Sequence, residues 1–416
     1  MPNQSSPELD GSTLAPASKV TGDAPSPSVP LSVPDRPLHI LMTANAAWNI
    51  WNFRRPLVES LLGDGHRVTV VAPEDEAVPE LVGSGCRFVP LSMNVKGLNP
   101  LQDFGLAVRL RRIFLLQRPD VVLGYTIKNN IFGAFAAKSL GIPFLPNVTG
   151  LGTAFLSSGL LQNLVEWLYR AAFASLPMVF FQNEDDQKLF LSRKLVNASQ
   201  TALIPGSGID LERFSVADYP VCDPPVFLMI ARLLRDKGVV EYAEAARMVR
   251  ERYPKARFQL LGAAGAPNRT AINLANVLAW EQSHGIEYLG TSPDVRREIT
   301  AAHCVVLPSY REGAPRTLIE AAALGRPLIA TDVPGCRAVV DPGKTGFLCA
   351  PYDPGSLAAA CLEFLSLSTE RRRAMGLAGR MKMVREFDQS IVVAAYCRAI
   401  SLVCARGSDE PFNRSN

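Results

Sequence analysis

The chain has 416 residues, long enough for two or three domains with cores of their own. With 48% hydrophobic and 20% charged residues it reads as a soluble globule, and 43 basic against 39 acidic residues, a net charge of +4, is too even a balance for a nucleic-acid binder. The eight cysteines show no C-x-x-C spacing and no histidine partners at metal-ligand spacing, which argues against a zinc site and suits a reducing cytoplasm.

In chain order, residues 1–36 come first. They are rich in Ser and Pro, with neither a basic segment nor an apolar core, and predict a disordered leader rather than a signal peptide. From His39 the pattern alternates. "LHILMTA" predicts a buried strand and "FRRPLVESLLGDG" a helix; "HRVTVVAP", "CRFVPLS", "PDVVLGY" and "IPFLPNV" predict further strands, with a helix through "NIFGAFAAKSLG" before the last. The acids of "PEDE" (Glu74–Glu76) and "NEDD" (Glu184–Asp186) follow strand-like runs but form no clean Asp-x-Asp, and read as solvated loop charges. No run of 18 apolar residues predicts a transmembrane helix.

The Pro-, Gly- and Asp-rich stretch "IPGSGIDLERFSVADYPVCDPP" reads as an interdomain linker, and a second series follows it. "PVFLMIARLLRDKG", "RFQLLGAAG", "IEYLGTSPD", "CVVLPSY", "RPLIATD" and "TGFLCAP" are six strand-plus-loop units. The fold class is therefore α/β, with two doubly wound parallel sheets. The expected domains are 37–208 and 225–385, joined by a linker at 209–224; residues 386–416 would supply a C-terminal helix packing back toward the first domain, and a tail. In such folds a ligand lies at the carboxyl ends of the strands, here in the cleft between domains.

Two features of the second series carry chemistry. Arg232 and Lys237 lie five apart in the loop leaving its first strand, where fixed cations can stabilise a departing phosphate without a metal. "REGAPRTLIEAAALGRP", from Arg311 to Pro327, reads as a loop and then a helix, with Pro315 in its first turn and Gly325 closing it. The backbone N–H groups from Ala314 to Thr317 would then point out of a helix N-terminus, a ready anion site. Glu312 and Glu320 would lie about 12 Å apart along a continuous helix, too far for a glycosidase pair. They suit the two ends of one elongated ligand with an anionic middle, such as a nucleotide-diphosphate-sugar. The four histidines, His39, His66, His284 and His303, read mainly as structural. No nucleophile elbow and no G-x-G-x-x-G in the first strand-helix turn support a hydrolase or a nicotinamide enzyme.

These stretches resemble the family 4 retaining glycosyltransferases of GT-B architecture. The resemblance covers nearly everything after residue 37, and rests on "IPGSGIDLERF", "ARLLRDKGV", "IEYLGTSPDV", "VVLPSYREGAPRTLIEAAALGRPLIATDVPG" and "DPGKTGFLCAPYDPGSL". It implies that Arg232 and Lys237 hold the donor diphosphate, that Glu320 binds the ribose hydroxyls, and that Glu312 contacts the transferred sugar. Gly313, Ala314, Pro315, Arg316 and Thr317 would cover the phosphates and the sugar. No metal and no cofactor are implied, the UDP-sugar being a substrate.

"NFRRPLVESLLGDGHRVTVVAPEDE" and "TIKNNIFGAFAAKSLGIPFLPNVTGLGTAF" are further similar to the branch that extends undecaprenyl-diphosphate-linked saccharides, including the bacillosamine-diphospho-undecaprenol N-acetylgalactosaminyltransferases. That likeness implies a lipid-linked saccharide acceptor, work at the cytoplasmic face of the inner membrane, and acceptor contacts from Asn45, Asn49, Arg54, Lys128, Gly150 and Thr153. The chain departs from it at Asn129, where many relatives have proline, and in lacking a first-domain histidine other than His39 and His66. Two basic or aromatic amphipathic stretches, one with Arg109, Arg111, Arg112 and Arg118 and one with Trp167 and Tyr169, suit a membrane surface as well as a scaffold. Other readings are a transferase to a soluble acceptor, a UDP-sugar 2-epimerase of the same architecture, and a non-catalytic nucleotide-sugar-binding module.

Overall fold

A computed structural model describes residues 36–94, 100–151, 160–221, 223–265, 268 and 270–406. The first sheet contains β1 (His39–Thr43), β2 (Arg67–Ala72), β3 (Arg87–Pro90), β4 (Val121–Tyr125), β5 (Phe144–Val148), β6 (Val179–Phe181) and β7 (Thr201–Leu203). The second contains β8 (Val226–Ile230), β9 (Arg257–Leu261), β10 (Ile286–Gly290), β11 (Cys304–Leu307), β12 (Leu328–Thr331) and β13 (Gly346–Cys349). All pairings are parallel, in the orders β3-β2-β1-β4-β5-β6-β7 and β10-β9-β8-β11-β12-β13. All six strands expected in the second series form. In the first, β6 and β7 add two strands of three residues each, too short to show a pattern of their own.

The helices α1 (Ala47–Gly63), α2 (Val78–Gly83), α3 (Pro100–Gln117), α4 (Ile127–Lys138), α5 (Leu160–Phe173) and α6 (Glu184–Ser192) belong to the first half of the chain. The second half carries α7 (Val239–Arg252), α8 (Leu274–His284), α9 (Arg296–Ala301), α10 (Arg316–Ala323), α11 (Cys336–Val339), α12 (Pro354–Ser366), α13 (Thr369–Lys382) and α14 (Gln389–Arg406).

A strand buried on both faces needs apolar residues at every position, and β1 shows the consequence. Ile40 and Met42 enter a core with α1 and α14, while Leu41 between them enters the core under α3, α4 and α5. In β8, Phe227 and Met229 face α7 and α12, and Leu228 faces α10. The last helix, α14, lies on the first sheet through Val392, Tyr396, Ala399, Ile400 and Val403, and Asn147 of β5 donates to the Tyr396 hydroxyl at 2.9 Å.

The chain thus crosses between sheets twice, and the crossings touch. Ile209 N donates to Phe387 O at 2.8 Å, and Gln389 N to Ile209 O at 3.1 Å. Gly208, at φ +70°, leaves no room for a side chain, since a Cβ there would fall 2.5 Å from Gln389 Cα. After this crossing, residues 209–221 are strapped to the second domain. Ile209 and Phe214 enter its core, and the fully buried guanidinium of Arg326 donates to the carbonyls of Ala217, Asp218, Ile299 and Thr300 at 2.6–3.3 Å. Burial lowers the Arg326 pKa to about 10.

Three expectations change, and the departure at Asn129 finds a structural role. α1 starts at Ala47, earlier than the expected helix, because Asp75 of "PEDE" accepts from Trp48 N at 2.9–3.0 Å and caps a helix whose Ala46 has no side chain to do so. "NEDD" is no solvated loop: Asn183 caps α6 by accepting from Asp186 N at 2.8 Å, and Asp186 is buried. Tyr169 is wholly buried against Phe173 and Phe190, so it presents nothing to a membrane. Asn129 is also buried, donating to Thr43 Oγ1 at 2.8 Å and Ala44 O at 3.2 Å, which ties the start of α4 to the end of β1.

Replacing Arg326 by Met strands buried carbonyls from two segments, each costing about 1–3 kcal/mol. Urea unfolding should show a loss of about 3 kcal/mol; a change below about 1 kcal/mol would show that the guanidinium does not hold the crossing segment to its domain.

Candidate active site

In each sheet the winding reverses once, between β1 and β4 and between β8 and β11. At such a point the connections leave in opposite directions and open a crevice at the carboxyl ends of the strands. The loops leaving these four strands carry nearly all the residues singled out above, and they meet across one cleft. Asn45 and Asn49 follow β1, Thr126 and Lys128 follow β4, Arg232 and Lys237 follow β8, and Glu312 to Thr317 follow β11.

The cleft has two chambers that share Asn45, Arg232 and Glu312. One, of about 540 Å³, is lined by Trp48, Asn49, Phe53, Lys237, Pro315, Arg316 and Thr317 among others. The other, of about 470 Å³, is lined by Thr126, Lys128, Thr149, Gly150, Asp236, Arg311 and Gly313 among others. Arg232 is exposed and makes no ion pair with any described residue, so its charge is available at the junction.

The two acids of the motif are both held by cations. Lys237 Nζ lies 2.5 Å from Glu312 Oε1, and Arg316 Nε lies 2.6 Å from Glu320 Oε1 one helical turn away. Burial pushes the Glu320 carboxyl above the usual glutamate range, an effect Arg316 opposes. Pro315 stands at the cap rather than in the first turn: its carbonyl accepts from Leu318 N and Ile319 N, and its ψ of 101° is not helical. Gly325, at φ +76°, follows the helix end as expected.

Contacts between residues far apart in the sequence complete the cleft. Arg311 pairs with Asp186 of α6, and Asn183 donates to Gly313 O at 2.9 Å, so the loop before α10 is bonded to the first domain. Burial raises the Asp186 carboxyl pKa even though Arg311 opposes it. Past the loop, Arg316 donates to Asn52 O at 2.9 Å and lies over the Phe53 ring, bonding α10 to α1. Thr126 holds a left-handed φ of 69° at the start of α4, where its hydroxyl donates to Asn129. Such backbone strain in a non-glycine is concentrated at functional sites.

The expected acceptor residues are treated unevenly. Asn45, Asn49, Lys128 and Gly150 line the chambers. Lys128 is anchored, with Nζ 2.7 Å from Asp103 Oδ1 and 2.9 Å from Asn94 O. Arg54 is not at the surface: it is buried with its guanidinium over the Tyr125 ring, because α1 turns it toward the sheet beside Tyr125. Thr153 lies outside the described residues. All four histidines bond at the margins. His39 meets Thr69, His66 accepts from Leu38 N, His303 accepts from Val226 N, and His284 meets Glu244. No three His, Cys, Asp or Glu side chains gather as a metal cluster among the described residues.

Two facing parallel-sheet domains with a cleft between them are the GT-B fold. Residues 50–206 match the glycosyl transferase 4-like domain, and residues 218–382 the glycosyl transferases group 1 family, so the chain belongs to the family 4 type of glycosyltransferase. It is 26% identical over 379 residues to the N,N'-diacetylbacillosaminyl-diphospho-undecaprenol alpha-1,3-N-acetylgalactosaminyltransferase of Campylobacter jejuni, covering 87% of this chain and 98% of that one. It is 24% identical to the UDP-Gal:alpha-D-GlcNAc-diphosphoundecaprenol alpha-1,3-galactosyltransferase of Escherichia coli, over 70% of this chain and 78% of that one. Among solved structures, Anabaena HepE in complex with UDP and glucose matches with a TM-score of 0.73 at 17% identity, over 88% of this chain and all of that one.

Gly313 lies tight against the first domain, since a Cβ there would fall 2.3 Å from Thr149 O. Gly313→Ala should therefore push the domains apart, read as a larger radius of gyration in small-angle scattering. An unchanged radius would show that this approach is not kept in solution.

Proposed function

We propose that this chain transfers a hexose or N-acetylhexosamine from a UDP-sugar, with retention at the anomeric carbon, to a lipid diphosphate-linked saccharide. The observation that carries the reading is the pair of chambers joined at Glu312 and Arg232. One holds the cations and the start of α10, as a diphosphate needs. The other is lined from the first domain by uncharged polar groups and Lys128, as a saccharide needs.

On this reading the donor lies along the first chamber. Glu320 accepts from the ribose hydroxyls, which requires Arg316 to share it. The diphosphate meets Arg232, Lys237 and the backbone N–H groups of Gly313, Ala314, Arg316 and Thr317 at the start of α10. Glu312 reaches the transferred sugar, where a carboxylate stabilises the positive charge that grows as the bond to the diphosphate breaks. Side chains and a helix end supply the counter-charge for the leaving group, so we propose that the reaction needs no metal. The acceptor hydroxyl approaches from the second chamber, past Asn45, Lys128 and Gly150, with Asn49 at the donor side. Arg54 acts only as a support beneath them. The relatives named above act on undecaprenyl-diphosphate-linked sugars according to their names, which supports an acceptor of that kind.

A membrane surface follows from such an acceptor. No described helix is long and apolar enough to cross a bilayer. The outer sides of α3 and α5 nevertheless expose Phe104, Val108, Leu115, Leu116, Leu164 and Trp167, with Arg109, Arg111 and Arg112 exposed on α3. We propose that this side lies on the anionic cytoplasmic face of the membrane.

Release of UDP from a panel of UDP-sugars, with and without membrane extract, tests the whole reading; release that ignores the extract would favour a soluble acceptor or an epimerase. Glu312→Gln should keep UDP affinity and lose about 100-fold or more in transfer, and normal turnover would remove Glu312 from the sugar. Arg232→Ala should weaken UDP about tenfold; unchanged affinity would discard the diphosphate assignment. Phe104→Ser with Trp167→Ser should reduce sedimentation with vesicles containing anionic lipid, and full binding would overturn the proposed face.

A further inference from the structure

Glu312 sits on a loop that belongs to the second domain, yet the groups that fix that loop from outside come from the first. On one side of Glu312, Arg311 pairs with Asp186; on the other, the carbonyl of Gly313 accepts from Asn183 Nδ2 at 2.9 Å. Both partners stand at the start of α6, and they bond each other: Asp186 N donates to Asn183 Oδ1 at 2.8 Å, and Asn183 Nδ2 lies 3.1 Å from Asp186 Oδ2. The Asp186 side chain is 1% exposed, so its charge is tolerable only because Arg311 and Asn183 meet it. Within its own domain the loop is tied at its start, where Tyr310 N donates to Asp236 O at 3.0 Å, and is backed by Gly335, where a Cβ would fall 2.5 Å from Gly313 O; at Glu312 itself Lys237 restrains only the tip of the side chain.

We propose that Asn183 and Asp186 are positioning residues for sugar transfer: from across the cleft they set the backbone on both sides of Glu312, so that its carboxylate takes its working place only when the two domains are together. This rests on the reading of Glu312 as the acid at the transferred sugar. A donor bound to the second domain alone would meet its phosphate contacts but an unset Glu312. The acid is completed by the domain that brings the acceptor, which ties the chemical step to closure.

Asn183→Ser provides the test, because serine still caps α6 but is too short to reach Gly313 O. In the full chain with lipid-linked acceptor, we expect the melting temperature and UDP affinity to hold, and kcat to fall about tenfold with little change in the donor KM. Asp186→Asn and Arg311→Gln should each lower kcat as well, and the double variant should be no worse than the poorer single one. Normal kcat in Asn183→Ser and Asp186→Asn, with Glu312→Gln inactive, would overturn the proposal and leave the role of Glu312 intact. A kcat loss matched by equal losses in UDP affinity and melting temperature would also overturn it, by reducing the contact to folding. Full activity in Glu312→Gln would instead remove the reading on which the proposal stands.

Discussion

A parallel sheet can place ligand-binding loops only at its carboxyl edge, and only where its winding reverses does a crevice open there. This chain meets that constraint twice, between β1 and β4 and between β8 and β11, and turns the two edges toward each other. Everything at the cleft depends on it. Asn129 shows how closely the strand ends are controlled: it is buried and bonds the end of β1 from the start of α4. The strained Thr126 lies three residues before it and donates to the same side chain.

The charges of the cleft are arranged in pairs that are already formed. Lys237 neutralises Glu312, and Arg316 neutralises Glu320. Half-buried carboxylates without such partners would be costly to hold ionised, and burial already lifts the Glu320 carboxyl. On the proposed function, a donor does not meet empty charges but exchanges partners with existing ones. A phosphate shares Lys237 with Glu312, and ribose hydroxyls share Glu320 with Arg316. Fixed dipoles and charges that need little rearrangement are what stabilise developing charge most effectively. Arg232, exposed and outside these pairs, supplies the net positive charge that a diphosphate requires.

The second domain was the more legible of the two in the sequence, for a physical reason. Glu312, Pro315, Gly325 and the small residues between them belong to one continuous strand-loop-helix, so local rules of capping and helix ends reveal them together. The six strands of that sheet likewise announce themselves by apolar runs. What local pattern cannot reveal is a partner distant in sequence. Asp186 reads as a loop charge because its partner, Arg311, lies 125 positions away in the other domain. Arg54 reads as a surface cation because nothing nearby says that α1 rotates it over Tyr125. Tyr169 and Trp167 are two positions apart on one helix, and only packing tells which is buried and which is 58% exposed. A cap residue followed by three acids, as in "NEDD", is a signal that could have marked the start of α6 in place of a solvated loop, but nothing in it points to the cleft.

The same distinction explains why the first domain, which walls one side of the proposed donor chamber with Trp48, Asn49 and Phe53, also matters to the segment on the other side. α10 and the loop before it carry Glu312 and Glu320, and the first domain bonds this segment at both ends: Asn183 and Asp186 grip residues 311 and 313, while Asn52 and Phe53 meet Arg316. Arg316 is also the partner of Glu320, so the contact from α1 reaches that buried acid through one guanidinium. A change in the angle between domains must therefore move the backbone beside Glu312 and the cation on Glu320 at once. The two crossings at Ile209 and Asp388 lie side by side and leave such a change few directions to take. On the proposed function, donor grip and acceptor approach are in this way set by one interface rather than by two separate sites.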